Sequence, residues 1–148
     1  MKKIDCYVDG ATEPKNPGGT GSYGIYATSD GEVVLEAWGI VGSGPLISNN
    51  VSEYSALFNA LTKIKEKFGV AVSLTIYSDS QMVVKQMNRE WPVRAGLYVE
   101  MAQRTLHFAT QFHHIRYVWI PRERNAFADA LSKRALTEVG VSVHPSRR

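Results

Sequence analysis

The feature that most constrains this fold is a change of hydrophobic period near residue 50. Before it, apolar residues alternate: Ile4-Asp5-Cys6-Tyr7-Val8 reads as a strand, and residues 22–28 and 32–42 form two further β-like runs. Asp30-Gly31 joins the latter two, which predicts a hairpin and an antiparallel meander of three strands. A Gly- and Pro-rich loop over residues 10–21 connects the first strand to it. After residue 50, Tyr54, Leu57, Phe58, Leu61, Ile64 and Phe68 recur at helical spacing, and Gly69 is placed to end the helix. Shorter elements follow: a strand at 73–77, a helix at 81–88, a longer helix at 97–112 with Val99, Ala102, Leu106 and Ala109 inward, and a strand at 115–120. Asn125 is placed to cap a final helix running to about Val139. Strands first, then helices alternating with strands, predict an α/β domain with helices packed on the faces of a mixed sheet.

The bulk properties bound the function. A chain of 148 residues, 44% hydrophobic, suits one domain with one core. We place that domain at residues 1–139 and expect a flexible tail at 140–148. The opening MKK is followed by Asp5 and Asp9, which break any secretory apolar run, and no stretch approaches the roughly 18 apolar residues of a membrane span. A cytoplasmic monomer is therefore expected. Cys6 is the single cysteine, which excludes an internal disulfide or a cysteine zinc cluster and points to a buried apolar role. Trp38 and Trp119, both within strands, are expected in the core. The net charge of +3 is unevenly spread: residues 1–84 carry six basic against nine acidic groups, residues 85–148 eleven against five. An acidic site beside a basic surface suits an anionic polymer such as nucleic acid.

Gly19-Thr20-Gly21-Ser22-Tyr23-Gly24 matches a dinucleotide fingerprint in letters only, because it leads into a strand where the nucleotide motif must open a helix. No Gly-Lys-Ser/Thr phosphate loop occurs, and the Ser and His positions suggest no hydrolase triad.

Four acids remain as candidates for chemistry: Asp9 in YVDGA, Glu53 in NNVSEY, Asp79 in IYSDSQ and Asp129 in NAFADAL. Carboxylates with open positions suit Mg²⁺, a hard cation that keeps water and near-octahedral geometry. Two such ions about 4 Å apart can clamp a phosphodiester. Each acid also has a local explanation. Asp9-Gly10 can be turn chemistry, Glu53 can complete a capping box with Asn50, Asp79 can cap the following helix, and Asp129 can pair with Lys133.

The flanking residues favour the shared site. Y-V-D-G with N-P-G-G-x-G after it, S-N-N-x-x-E, Y-S-D-S-Q and P-R-E-x-N-x-x-A-D-x-L fall in that order between Ile4 and about Leu136. In these motifs the chain resembles type 1 ribonuclease H, the magnesium-dependent endonucleases that cut the RNA strand of RNA/DNA hybrids. The resemblance implies the ribonuclease H-like five-stranded mixed sheet, three antiparallel strands first and then two parallel ones, with helices on both faces. It implies two-metal hydrolysis with Mg²⁺, or Mn²⁺ as substitute, that leaves 5′-phosphate and 3′-hydroxyl ends. Asp9, Glu53, Asp79 and Asp129 correspond to the metal-binding carboxylates. Asn49, Asn50 and Gln81 would line the minor groove of the hybrid, assisted by the loop around Asn16, and Glu53 would meet a ribose 2′-hydroxyl. Ser48 either donates to a DNA-strand phosphate or simply caps its helix.

The chain departs from the family pattern in two places. Many members carry a histidine in the loop before the last helix, where this chain reads Pro121-Arg122-Glu123-Arg124-Asn125. Arg122 is the candidate substitute, a cation near the scissile phosphate, or else an exposed phosphate contact. The strongly basic helix and loop that some members insert is also missing: residues 88–104 carry only Arg89, Arg94 and Arg104. Moderate, salt-sensitive affinity is expected, with Arg89 and Trp91 as candidate DNA-strand contacts unless Trp91 fills a core gap. Two rival functions stay open: a nuclease of the same fold for double-stranded RNA or DNA junctions, and a catalytically silent hybrid-binding module.

Overall fold

The computed structural model describes residues 1–143. The elements are β1 (Lys2–Glu13), β2 (Thr20–Ser29), β3 (Glu32–Ser43), α1 (Asn49–Phe68), β4 (Val72–Ser78), α2 (Gln81–Met87), α3 (Val99–Ala109), β5 (His114–Trp119) and α4 (Ala126–Glu138). The strands form one sheet in the order β3-β2-β1-β4-β5. Neighbours β3, β2 and β1 pair antiparallel, whereas β4 runs parallel to β1 and β5 parallel to β4. β1 is thus central, paired with β4 over Lys2 to Val8 and with β2 over Asp5 to Glu13, so Asp9 stands just where β4 ends.

The helices lie on opposite faces, and two glycines show why they can. Asp9 is the cross-strand partner of Gly24, so these two share a face, while Gly10 points to the other. A Cβ on Gly10 would meet the Ser52 backbone of α1 at 2.3 Å, and one on Gly24 would meet the Ala128 carbonyl oxygen of α4 at 2.1 Å. Only residues without a side chain let both helices approach the sheet this closely. On the α1 face, Ile4, Cys6, Val8 and Ile25 pack with Leu57, Leu61 and Ile64, all fully or nearly fully buried. Burying one such branched side chain is worth roughly 1.5–3 kcal/mol, so this layer anchors α1 across the sheet.

A polar network holds the smaller helices. The Tyr54 hydroxyl donates to Gln86 Oε1 at 2.6 Å, and Gln86 Nε2 donates to the Tyr98 hydroxyl and the Pro92 carbonyl, both at 3.1 Å. Burial, with Tyr98 and Tyr117 nearby, pushes the Tyr54 phenol well above its ordinary pKa, so the network stays neutral.

The structure corrects several sequence expectations. β1 continues through Glu13, because Gly10 to Glu13 pair with Tyr23 to Thr20 of β2, so the loop covers only residues 14–19. Ladder pairing here overrides a composition that reads as loop. α3 is shorter than 97–112: Gly96 adopts a positive φ of 153°, Leu97 is 45% exposed, and residues 110–112 form turns after Ala109. Val99 and Leu106 are half-buried against the core, and Thr105 is the fully buried residue in that turn of helix.

Neither strand tryptophan is a core residue. Trp119 is 49% exposed because β5 is an edge strand without a buried position. Trp38 is half-buried under the end of α4, donating to Glu138 Oε1 at 2.8 Å with the Arg134 guanidinium 4.2 Å from its ring centroid. Of the expected tail, residues 144–148, including His144, lie outside the described residues. Among the described residues no helix is long and apolar enough to cross a membrane.

Candidate active site

Three of the four acids converge. Asp9, Glu53 and Asp79 each offer a carboxylate oxygen, and these oxygens all lie within 4.8 Å of one another. Each arrives on a different element. Asp9 sits in central β1 and is buried, Glu53 is in the second turn of α1, and Asp79 follows the last residue of β4. Three carboxylates this close repel one another strongly unless a cation is shared. Their hard oxygen donors fit a divalent ion of the magnesium class.

The local sequence explains the convergence. Because Gly10 lets α1 press on β1, the Gly10 amide donates to Glu53 Oε1 at 2.5 Å and turns that carboxylate toward Asp9. The capping box with Asn50 is absent: Ser48 is the N-cap, its hydroxyl accepting from the Val51 amide at 3.2 Å. Asp79 does not cap α2 either. Ser80 does so, accepting from the Val83 amide at 3.3 Å, while the Asp79 carboxylate faces the cluster.

Asn125 occupies the N-cap position that the sequence predicts for it, without making a side-chain capping bond. Its buried Nδ2 donates instead to the Val8 carbonyl at 2.9 Å and, at 3.4 Å, to Asp79 Oδ2. It ties β1 to the end of β4 beside two of the acids. Sequence periodicity carries no trace of that role; its place in the P-R-E-x-N motif is the only sequence sign. Trp119 was also missed as a neighbour of the cluster, and its indole Nε1 donates to the Asp79 carbonyl oxygen at 3.2 Å.

Asp129 is not one of the three residues within 4.8 Å. It lies in the first turn of α4, with Oδ2 3.0 Å from Lys133 Nζ, so the pairing read from the sequence is present. The expected groove residues flank the cluster at helix starts. Asn49 and Asn50 open α1, and Gln81 opens α2 with its side chain exposed. Asn16 Oδ1 accepts from the Asn49 amide at 2.9 Å, bracing the 14–19 loop against α1. Arg122 begins an exposed 3₁₀ turn before α4. Arg89 follows α2 with φ of 59°, and Trp91, 45% exposed, lines a shallow cleft with it, so Trp91 fills no core gap.

A family model described as reverse transcriptase-like matches residues 7–135. The ribonuclease H of Syntrophus aciditrophicus is 30% identical over 98% of this chain and 87% of its own length. The chain belongs to the type 1 ribonuclease H family. Among solved ribonuclease H structures, the N-terminal domain of Rv2228c from Mycobacterium tuberculosis superposes with a TM-score of 0.82 at 29% identity, covering 93% of this chain and 96% of that one. LC11-RNase H1 in complex with an RNA/DNA hybrid gives 0.82 at 28% identity, over 92% and 98%. Ribonuclease H domains also occur in longer proteins: this chain spans 35% of the length of the first curated relatives that it matches, which are mycobacterial.

Proposed function

We propose that this chain is an endoribonuclease that hydrolyses the RNA strand of RNA/DNA hybrids, leaving 5′-phosphate and 3′-hydroxyl ends. The observation that carries this reading is the Asp9, Glu53 and Asp79 cluster, its oxygens within 4.8 Å, on the fold of an enzyme solved with a hybrid. The three carboxylates would hold Mg²⁺, or Mn²⁺ in its place, with Asp129 completing a second ion position in the substrate complex. Such ions, when bound, polarise the phosphodiester and supply an activated water.

The chain's own groups orient the rest. The Gly10 amide and the Asn125 amide hold Glu53 and Asp79 in place, so little reorganisation is needed when substrate arrives. Asn49, Asn50 and Gln81 present short amides at helix starts beside the cluster, suited to the wide minor groove of a hybrid and its 2′-hydroxyls. As N-cap, Ser48 accepts from the Val51 amide, which leaves its hydroxyl proton and the helix start to donate to a phosphate. Arg122, exposed before α4, serves as a cation toward the phosphate, and Arg89 with Trp91 contacts the DNA strand.

The test is a cleavage assay with matched hybrid, RNA duplex, DNA duplex and DNA junction substrates in Mg²⁺ and in Mn²⁺. Metal-dependent cleavage of the hybrid's RNA strand alone is expected. Preference for the RNA duplex or a junction, or binding of hybrid without cleavage, would overturn the reading.

A further inference from the structure

On the α4 face of the sheet, one row below Asp9, three tyrosines run across three strands and Phe127 of α4 adds a fourth ring. Tyr77 stacks on Tyr7 with centroids 4.7 Å apart and planes 15° apart, and Tyr26 stacks on Phe127 at 4.5 Å and 12°. Between the two stacks the spacing opens to 6.5 Å and the rings tilt to 55°. A cavity of about 280 Å³ opens there, lined by Tyr7, Tyr26, Thr28, Arg124, Asn125 and Phe127. That volume lies near the lower end of the roughly 300–1,000 Å³ usual for ligand pockets, which suits one aromatic heterocycle.

Two observations point to a ligand there. Phe127 leaves 65% of its surface exposed at the pocket edge, an apolar cost that the fold does not require of a helix's first turn. Asn125, 1% exposed, forms part of the wall; with Nδ2 committed to Val8 and Asp79, its Oδ1 receives no hydrogen bond from any described residue. A buried amide oxygen of this kind needs a donor.

We propose that this pocket binds a nucleotide, with the base against the Tyr7 and Tyr26 rings, a base amino group donating toward Asn125 Oδ1, and the phosphate on Arg124. Aromatic walls take any base through its π-face, and the exposed guanidinium at the rim supplies the matching charge. The site adjoins the carboxylate cluster through Asn125 but contains none of its three acids, and binding there does not depend on cleavage. The same chemistry is offered by a free mononucleotide and by an unpaired nucleotide of a single strand.

The experiment titrates 5′-AMP, adenosine and a short single-stranded oligodeoxynucleotide into isotope-labelled full chain in EDTA, following amide shifts. Shifts at Tyr7, Tyr26, Arg124 and Phe127 are expected. Arg124→Gln, on the surface, should weaken AMP about tenfold and leave adenosine unchanged. Tyr26→Leu should weaken both by about tenfold, and if it perturbs folding the Arg124 variant still decides. Oligodeoxynucleotide shifts at the same residues identify a strand as the source, and shifts with AMP alone identify the free nucleotide. Absence of binding, shifts confined to the acidic cluster, or unchanged AMP affinity in Arg124→Gln overturns the proposal.

Discussion

Gly10 and Ser52 are in backbone contact across 42 residues of sequence: a Cβ on Gly10 would lie 2.3 Å from the Ser52 carbonyl carbon and oxygen. This contact sets the height of α1 over β1 and, through the Gly10 amide, the aim of Glu53.

Gly10→Ala should therefore damage both stability and activity. Forcing a methyl into that contact costs about 1–3 kcal/mol of overpacking. A shift of α1 by 1 Å would lower turnover on the order of a hundredfold. Thermal denaturation and hybrid cleavage, measured on the same preparation, check the pair. Wild-type turnover in a folded variant would show that Glu53's position is not set here.

Asp9→Asn and Asp79→Asn should each lower cleavage on the order of a thousandfold while leaving Tm equal or higher, since removing one negative charge relieves repulsion within the cluster. Substantial magnesium-dependent activity in either variant would refute the site.

Added Mg²⁺ or Mn²⁺ should raise Tm of the wild type, by mass action on the folded state, and EDTA should reverse it. Asp9→Asn should show little of this response. An equal rise in both proteins would locate the metal elsewhere.

Asn125→Ala leaves the Val8 carbonyl and one Asp79 oxygen without their amide donor, which should cost about 1–3 kcal/mol. Asn125→Asp should be worse for activity, because it sets another carboxylate beside Asp79. Circular-dichroism melts and cleavage rates of the two variants separate loss of a bond from added charge.

Cys6 is fully buried, and burial raises its thiol from 9.0 to about 12. Reaction with thiol reagents at pH 8 should thus follow unfolding only. The folded chain keeps the proton where the unfolded chain loses it. This contribution to stability is complete below pH 9 and disappears as pH rises to 12. A Cys6→Ala variant should lose less stability across that alkaline range than the wild type. An identical decline in both would assign it to other groups, such as Tyr54 and Tyr117, whose phenols burial also raises.

Much of the fold is legible in local pattern. The two-residue period of Ile4, Cys6 and Val8 and the 3.6-residue period of Tyr54, Leu57, Leu61 and Ile64 mark which face each element buries. Element types and order follow, and boundaries mostly to within a few residues. The larger misses have a common cause. Gly10 to Glu13 belong to β1 because β2 pairs with them, and Trp119 is exposed because β5 forms the sheet edge. Neither fact resides in the residues' own neighbourhood.

The site divides in the same way. Sequence alone named Asp9, Glu53, Asp79 and Asp129 as candidates through their motifs, and it determined the period change that builds sheet before helix. Only the tertiary structure brought oxygens of Asp9, Glu53 and Asp79 within 4.8 Å of one another and gave Asn125 to Val8 and Asp79. The physical reason is that periodicity reports which face is apolar, whereas close approach depends on register and on the missing side chains of Gly10 and Gly24.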